Sequence, residues 1–427
     1  MKILPAHQIG GLSGKDFVAK YQFHPVVGSG PYELRHSDVK KGQSLTFRRR
    51  PDYWGWNERF ATGRFNIDLI RLVSTEDSVM ALEKAKKGEL DIFPVGKAKD
   101  WAVDLPRLEQ VRRGLLVMAR VQNDRPLGAD GIVINMRRPP LNDVRVRRAL
   151  AHLYNREKLI NKMFYGLYKP LSSYFPGMTS DKQGPNEMIN YDPDQARQLL
   201  RQAGWEKFNR KGILTKDGRL LELELMYSSK TVERYLSIFQ EDCRKAGIKL
   251  HLKQLTRASR FQTTYGNRAF QLATQGWAGS VDPSPETVWL SSLADQKNNN
   301  NLAGFKDPII DALCSKYESS FDREERRSIL QEIDQRIFAA HPCILGWASP
   351  DMRFVYWNRF GHPEWTIGRT SGPESVLTTW WVDPQKETKL KRAKRDPDVR
   401  LDPGPRVVRY WRRERLGNDR PEKPYLR

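Results

Sequence analysis

The side chains that most often carry enzyme chemistry are present in this sequence, but they form no recognised catalytic or metal-binding pattern. The seven histidines show no HxxH or HxxxH spacing, and no cysteine lies beside one of them. The GxSxG, Walker A and GxGxxG patterns are also absent. Carboxylates are numerous, but no pair stands out as a candidate for acid–base catalysis. The sequence therefore predicts neither an enzyme nor a protein that needs a metal or a cofactor.

Aromatic residues are abundant and several of them lie in loops beside polar groups. The chain contains 12 Trp, 15 Tyr and 17 Phe. Four segments combine rings with polar residues: DYWGWN (52–57), QGWAGSVDPSP (275–285), WASPDMRFVYWN (347–358) and TTWWVDP (378–384). Aromatic walls with a few fixed polar groups are the usual lining of a small-molecule or peptide cleft. The alternative, that most of these rings belong to the core, stays open.

The elements that would position such a cleft are predicted most clearly between residues 221 and 255. Leucines alternate with glutamates over Leu221–Leu225, which is the pattern of a strand with one buried face. A helix with apolar residues spaced by three or four follows and ends at Gly247. Residues 248–253 then alternate again. We expect a right-handed strand–helix–strand crossover and therefore a mixed or parallel sheet.

Capping residues predict further helices. Thr75 is the expected N-cap of a helix that ends at Gly88. Asp192 is followed by a proline and precedes a helix that ends near Gly204, and Asp322 precedes a third helix.

A basic amphipathic helix is predicted to start at Asn142–Asp143 and to run without a break to Ile160. We expect its arginines, Arg145, Arg147 and Arg148, to lie on an exposed face rather than to bind nucleic acid.

The bulk composition is that of a globular protein with two or three lobes. The chain has 427 residues, of which 39% are hydrophobic and 29% charged. Its formal net charge of +22 is concentrated disproportionately in residues 385–427, and no nucleic-acid-reading motif is recognisable, so no nucleic acid partner is expected. The N-terminal residues MKILPAHQIGGLSG lack the apolar region of a signal peptide.

The end of the chain changes composition after Pro384. Residues 385–427 are rich in Arg, Lys, Asp and Pro, and we expect a basic tail that is disordered or only loosely docked. Within it, Val407, Val408, Tyr410 and Trp411 could add one short strand or a contact patch. The three cysteines, Cys243, Cys314 and Cys343, form no CxxC pair, and one disulfide or none is compatible with their spacing. Their sequence contexts favour buried small hydrophobic residues.

Several motifs, in order along the chain, resemble the family 5 extracellular solute-binding proteins, which bind dipeptides, oligopeptides or nickel for ABC importers. GSGPY (28–32) and KKGQSLTFRRRPDYWG (40–55) resemble the turn, the hairpin and the NPDYWG signature of the family. GIVINMRRPPLNDVRVRRALAHLYNREKLI (131–160) and YDPDQARQLLRQAGW (191–205) are similar to two further family segments. The ending, from VYWNRFGHPEWTIGR at 355 to LTTWWVDP, looks most like the larger peptide-binding subgroup.

The resemblance implies an α/β fold, the type II periplasmic binding protein, with two lobes, mixed sheets and a hinge. Residues 1–130 would form a partial first lobe to which residues 349–384 return. Residues 131–348 would form the lobe with the crossover unit and half of the ligand cleft. The hinge crossings would lie near Gly131–Asn135 and Leu345–Ala348.

The resemblance also implies that the first lobe is incomplete. Members of the family begin with a signal peptide and a long segment that builds half of the first lobe and an extra domain, and this chain begins after them. We expect a truncated product, a misassigned start codon or a degraded gene. A remnant that binds no ligand and acts through its basic tail is the second hypothesis.

The expected function is the peptide-binding component of an ABC importer, a monomer in the periplasm that docks on the membrane subunits of the importer. The ligand-binding residues would be Gly276, Trp277, Ala278, Ser280 and Asp282. Trp277 would pack against the ligand, and the backbone from Gly276 to Ala278 would form hydrogen bonds with it.

One departure concerns the charge that recognises the peptide. Peptide binders of the family often carry an Asp three residues after the Trp of the GW motif, where it pairs with the α-ammonium group of the ligand. Here that position is Ser280, which cannot neutralise an ammonium group, and the nearest acid is Asp282. Asp282-Pro283 either shapes a turn or contacts the ligand. An oligosaccharide or a metal chelate remains an alternative ligand.

Overall fold

The computed structural model describes residues 5–178 and 186–411, in which α-helices and strands form an α/β fold with several sheets. The strands are β1 (Tyr32–Glu33), β2 (Val39–Lys40), β3 (Ser44–Arg49), β4 (Leu69–Val73), β5 (Ile92–Pro94), β6 (Leu116–Val121), β7 (Ala129–Ile134), β8 (Lys169–Pro170), β9 (Lys207–Phe208), β10 (Leu214–Lys216), β11 (Arg219–Leu220), β12 (Glu222–Tyr227), β13 (Lys249–Gln254), β14 (Leu272–Trp277), β15 (Cys343–Leu345), β16 (Trp347–Ala348), β17 (Met352–Trp357), β18 (Phe360–Gly361), β19 (Trp381–Val382) and β20 (Val407–Val408).

The α-helices vary in length from single turns to α12, which is the longest in the described residues. They are α1 (Ala6–Ile9), α2 (Gly14–Tyr21), α3 (Ser78–Lys87), α4 (Glu109–Arg112), α5 (Val144–Leu153), α6 (Arg156–Lys162), α7 (Pro193–Gln202), α8 (Lys230–Lys245), α9 (Arg257–Phe261), α10 (Glu286–Trp289), α11 (Pro308–Ser319), α12 (Arg323–Ala340), α13 (Val376–Thr379) and α14 (Pro384–Arg395). In the part of the chain that the structure describes, none of them is long and apolar enough to span a membrane.

The chain divides into two compact units. One unit comprises the residues up to Asp124 and those from Asp351 onward, and the other comprises Arg125–Pro350. The segments expected at the hinge crossings, Gly131–Asn135 and Leu345–Ala348, lie within the second unit, where they contribute to β7, β15 and β16. That the chain moves about a hinge stays a prediction.

The first unit contains two four-stranded sheets. The expected hairpin before Arg50 is present as β3 pairing antiparallel with β2 and β1, and β4 adds to the other side of the pair. The second sheet has the order β20-β6-β17-β5 and packs against a core that includes Phe354 and Trp380, both fully buried. The predicted cap at Thr75 is wrong, because Asp77 caps α3 by accepting hydrogen bonds from the amides of Val79 and Met80.

The second unit is built on a five-stranded mixed sheet with the order β13-β12-β14-β7-β15. The predicted strand–helix–strand connection is confirmed, since β12 and β13 are parallel and α8 connects them, while its right-handedness stays a prediction. β12 is also parallel to β14, whereas β7 runs antiparallel to β14 and to β15. Both faces of this sheet are covered, one by a core with α5, α7 and α8 and the other by a core with α11 and α12.

The predicted basic helix is interrupted. The structure has two helices in its place, α5 and α6, with a break at Tyr154-Asn155, where Asn155 caps the second helix. Arg147 is also not on an exposed face: its side chain is 4% exposed. Its guanidinium donates to the carbonyls of Ala340, Leu141 and Asn142, which ties the start of α5 to the end of α12.

The expectation of a disordered or loosely docked tail is wrong for residues 385–411. Asp383 caps α14, a proline occupies the first turn, and the basic last turn complements the helix dipole. Beyond the helix, the short strand that the sequence allowed at Val407 and Val408 is present as β20, which pairs in parallel with β6. Arg113 donates to carbonyls of Ala393, Asp396 and Val399. Residues 412–427 lie outside the described residues.

The three cysteines are buried and their thiols are free. Of the two states that the sequence left open, the structure therefore has the one without a disulfide. Burial raises the pKa of Cys314 to about 12, so its thiol is protonated at neutral pH, in keeping with the expected role as a small hydrophobic residue.

We predict that replacing Arg147 with methionine lowers the free energy of unfolding by about 2–4 kcal/mol, because three carbonyls, the buried one of Leu141 among them, lose their donor. Burial lowers the pKa of Arg147 only to about 10, so the side chain is charged at neutral pH. Denaturant unfolding followed by circular dichroism measures the change. Arg148, which is exposed on the same helix, supplies the control: Arg148→Met should change stability by less than about 0.5 kcal/mol. Equal losses in the two variants would contradict this role for Arg147.

Candidate functional site

The residues singled out in the sequence follow or end β14, at one edge of the five-stranded sheet. The carboxyl ends of β12 and β14 and the start of β7 meet there, because β12 and β14 are parallel and β7 is antiparallel to β14. Ligands of open α/β sheets commonly bind outside the carboxyl ends of the strands, where neighbouring connections diverge. The fold thus places the candidate residues where a ligand site is expected on general grounds.

The last part of β14 has a strand neighbour on one side only. Its ladder with β12 ends at the pair Met226–Ala273, whereas its ladder with β7 continues to the pair Trp277–Ala129. Thr274–Trp277 therefore present an open strand edge, which is a template for another extended chain. We call these four residues the open end of β14.

Two backbone carbonyls of the open end accept hydrogen bonds from side chains of the protein. Nη1 of Arg260 donates to the carbonyl oxygen of Thr274 at 2.9 Å. Nε2 of Gln275 donates to the carbonyl oxygen of Gly276 at 2.9 Å. These two side-chain contacts protect the edge, but no strand of the described residues covers it.

A first cavity, which we call the Trp277 cavity, lies on the face of the sheet that packs against α11 and α12. Its volume is about 150 Å³. Its walls are mostly apolar or aromatic, and the lining residues are Pro126, Leu127, Tyr174, Phe175, Met178, Trp277, Ala278, Gly279, Ser280, Pro283, Ser284, Thr287, Val288 and Trp289. Trp277 is half-buried there, and the loop that follows it is largely exposed.

A buried carboxylate holds one wall of the Trp277 cavity. Oδ1 of Asp334, on α12, accepts a hydrogen bond from the amide of Tyr174 at 2.8 Å. The Tyr174 hydroxyl donates to the carbonyl of Cys343 at 3.2 Å, and its ring meets Trp289 edge-on with the centroids 5.3 Å apart. Burial raises the pKa of Asp334 to about 6, while its hydrogen bonds act in the opposite direction.

A second cavity, which we call the Asp130 cavity, lies on the opposite face of the sheet, beside α8 and α9. Its volume is about 320 Å³. The residues that line it come from β7, β14, α8, α9, the end of α5 and the segment after β15, and they are Asp130, Gly131, Ile132, Tyr154, Val232, Tyr235, Arg260, Thr274, Gln275, Gly276, Gly346 and Trp347.

Three aromatic rings wall the Asp130 cavity. Trp347 stacks on Tyr154 with the ring centroids 5.9 Å apart and the planes at 20°, and it meets Tyr235 at 5.1 Å and 87°. Tyr154 and Trp347 are almost completely buried, whereas Tyr235 is partly exposed. The rings are fixed by one another and form a rigid wall.

Two charged side chains of opposite sign face the same cavity. Asp130 is exposed to the cavity, but the protein atoms around its carboxyl raise its pKa above the ordinary value of an aspartate. Nε of Arg260 is buried and has no hydrogen-bond partner in the described residues. Neither side chain forms an ion pair within the ranges 5–178 and 186–411, and they do not pair with each other.

The structure separates the five predicted residues. Trp277, Ala278 and Ser280 line the Trp277 cavity, Gly276 lines the Asp130 cavity, and Asp282 lines neither. The Ser280 hydroxyl donates to the carbonyl of Asp282 at 2.8 Å, so this part of the loop closes a local turn. Whether these residues bind a ligand stays a prediction.

Sequence reasoning missed Asp130 and Arg260. Asp130-Gly131 directly precedes the apolar run of β7, and a carboxylate at the entry of a buried strand is a signal that could have been used. Nothing in the sequence around Arg260 distinguishes it from the many surface arginines of this chain. Its position depends on the carbonyl of Thr274, which only the folded structure brings near.

The sequence profile described as "Bacterial extracellular solute-binding proteins, family 5 Middle" matches residues 2–300, more than half of the chain. The chain belongs to family 5 of the bacterial extracellular solute-binding proteins. This confirms the resemblance drawn from the motifs.

A curated relative, the probable peptide-binding protein YejA of Agrobacterium fabrum, is 26% identical over 384 residues, which cover 81% of this chain and 62% of the relative.

Solved structures of the family share the fold. The oligopeptide-binding protein AppA from Bacillus subtilis, in complex with a nonapeptide, superposes with a TM-score of 0.72 at 22% identity, covering 89% of this chain and 72% of AppA. NikZ from Campylobacter jejuni, in complex with Ni(L-His), gives a TM-score of 0.71 at 20% identity and covers 88% and 72% of the two chains. These likenesses confirm the periplasmic-binding-protein fold. This family 5 chain spans less than two thirds of the length of the first curated relatives that it matches.

We predict that Asp334 makes the wild-type protein less stable as the pH rises. Its folded-state pKa of about 6 lies above the ordinary 3.8, so between about pH 4 and pH 6 the folded state binds more protons than the unfolded state. This contribution to stability is present below about pH 4 and is lost as the pH rises through 6. Asp334→Asn cannot ionise, so its stability relative to wild type should increase by up to about 3 kcal/mol between pH 4 and pH 7. Urea unfolding of the two proteins at both pH values measures the difference, and parallel pH profiles would contradict the prediction.

Proposed function

We propose that this family 5 protein is the substrate-binding component of an ABC importer and that it binds peptides in an extended conformation. The peptide adds as a strand to the open end of β14, and Trp277 packs against one of its side chains. The observation that carries the proposal is the one-sided pairing of Thr274–Trp277 beside two cavities. Strand addition supplies backbone hydrogen bonds that are independent of side-chain identity, so weak sequence selectivity is expected.

The two cavities support the same proposal. In a bound strand, successive side chains point to opposite faces of the sheet. The Trp277 cavity lies on one face beside β14 and the Asp130 cavity lies on the other. Alternate side chains of a peptide on the open end would therefore find a cavity on each face, and the mixed apolar and polar walls suit side chains of different kinds.

The cellular setting of the proposal follows from the family. Family 5 is described as extracellular, which supports a periplasmic location, and the membrane subunits of an ABC importer are the expected partners. We expect the protein to act as a monomer. The alternative of a remnant that works through a free basic tail is less well supported, because residues 385–411 pack on the first unit through α14 and β20.

We predict that Trp277→Ala weakens peptide binding at least about tenfold, since removing a half-buried aromatic ring from a binding surface commonly costs more than 1 kcal/mol. Isothermal titration calorimetry with tetra-alanine measures the affinity, because this probe depends least on side-chain preference. Ni(L-His) and an oligosaccharide are titrated in parallel to test the two alternative ligand classes.

The matched control is Phe321→Ala. Phe321 lies in the same unit, between α11 and α12, and is 94% exposed, so its removal should leave both stability and affinity unchanged. Unchanged tetra-alanine affinity in Trp277→Ala would exclude Trp277 from the site. Binding of Ni(L-His) or of the oligosaccharide without any binding of tetra-alanine would exclude peptides as the ligand class.

A further inference from the structure

The Asp130 cavity contains a carboxylate that the fold does not use. In the part of the chain that the structure describes, no donor and no cation contacts the side chain of Asp130, although protein atoms surround it closely enough to raise the pKa of its carboxyl. Removing a carboxylate from water without a compensating partner costs free energy, and carboxylates with a structural role are normally paired. Asp130 is therefore available to a group that comes from outside the chain.

The position of this carboxylate is set by Gly276. Asp130 and Gly276 are directly opposite in the β7–β14 ladder. A Cβ atom on Gly276 would lie 2.5 Å from Oδ1 of Asp130, which means that the carboxylate occupies the space in which a side chain of residue 276 would stand. The negative charge thus lies over β14, beside its open end, and not over β7 alone.

The surroundings of Asp130 favour a cation. The rings of Tyr154, Tyr235 and Trp347 wall the same cavity, and aromatic faces attract ammonium groups electrostatically. A carboxylate combined with aromatic walls is a suitable environment for a primary ammonium group that has left water. Neutral ligand groups would leave the carboxylate uncompensated.

Arg260 makes the charge in the Asp130 cavity uneven along β14. Its guanidinium is held at Thr274, two residues before Gly276 on β14, so the positive end and the negative end of the cavity lie at different points along the strand. An ammonium group is repelled from the Arg260 end and attracted to the Asp130 end. A ligand that carries one ammonium group is therefore bound in one orientation.

We propose that the Asp130 cavity binds the amino-terminal residue of a peptide, with the α-ammonium group on the Asp130 carboxylate. The inference rests on the proposed function, because it requires a peptide on the open end of β14. It assigns to Asp130 the charge that neither Ser280 nor Asp282 supplies: Ser280 is neutral, and Asp282 lies on the exposed loop and lines neither cavity.

The test compares tetra-alanine with N-acetyl-tetra-alanine by calorimetry on the wild-type protein and on Asp130→Asn. The wild type should bind the free peptide about ten- to a hundredfold more tightly than the acetylated one, as expected for a charge-assisted hydrogen bond. In Asp130→Asn, which keeps the shape of the side chain, the two affinities should become equal. Asp282→Asn tests the other candidate acid for the ammonium group and should retain the wild-type ratio.

The outcomes separate the inference from the proposed function. If the wild type binds neither peptide, the proposed function fails and the inference fails with it. If it binds both equally, or if Asp130→Asn keeps the preference for the free peptide, the inference alone is wrong. Loss of the preference in Asp282→Asn instead would assign the ammonium to the loop. Tight binding of N-acetyl-Lys-Ala-Ala-Ala would show that the cavity binds a side-chain ammonium and would overturn the assignment to the peptide terminus.

Discussion

The antiparallel ladder between β7 and β14 is the constraint on which the candidate site depends. It pairs Leu272–Trp277 with Ala129–Ile134 without interruption. Residues opposite each other in such a ladder share a face of the sheet. Trp277 and Ala129 therefore face the core with α11 and α12, whereas Gly276 and Asp130 face the opposite cavity. One ladder thus supplies residues to both cavities, and its extension beyond the end of β12 creates the open end of β14.

The register of this ladder is fixed by close contacts as well as by the hydrophobic pattern. A Cβ atom on Gly131 would lie 2.3 Å from the carbonyl oxygen of Ile344, so β15 can approach β7 only at a glycine. On the neighbouring strand Gly276 leaves space for the carboxylate of Asp130. A shift of the β7–β14 register by one residue would move every side chain to the other face of the sheet. It would also place a Cβ atom where Gly131 now lies against β15 and where Gly276 now leaves space for Asp130. The position of the Asp130 charge is therefore determined by the packing of three strands.

The parts of the fold that the sequence predicts are those with local causes. The crossover of β12, α8 and β13 follows from alternating and helical periodicities, and the N-caps of α7 and α12 are the predicted Asp192 and Asp322. Two errors have local causes, since Asp77 caps α3 and Asn155 caps α6 close to the predicted positions, whereas two others have distant causes. The buried position of Arg147 depends on the carbonyl of Ala340, far along the chain, and the docking of residues 385–411 depends on β6 and Arg113. Likewise, the environment of Asp130 depends on Gly276, which lies opposite it on a neighbouring strand and far along the chain.

The charged groups of this protein whose pKa values are shifted differ in what compensates their charge. Arg147 donates to three carbonyls, and Asp334 accepts the amide of Tyr174, so the fold itself provides the partners of both groups. The side chain of Asp130 is exposed to its cavity, the surrounding protein atoms raise the pKa of its carboxyl, and it receives no partner in the described residues. Perturbed, unpaired ionisable groups in a concave site are typical of ligand contacts. Because the open end of β14 lies directly beside this carboxylate, the same ligand that completes the sheet can also supply the missing charge.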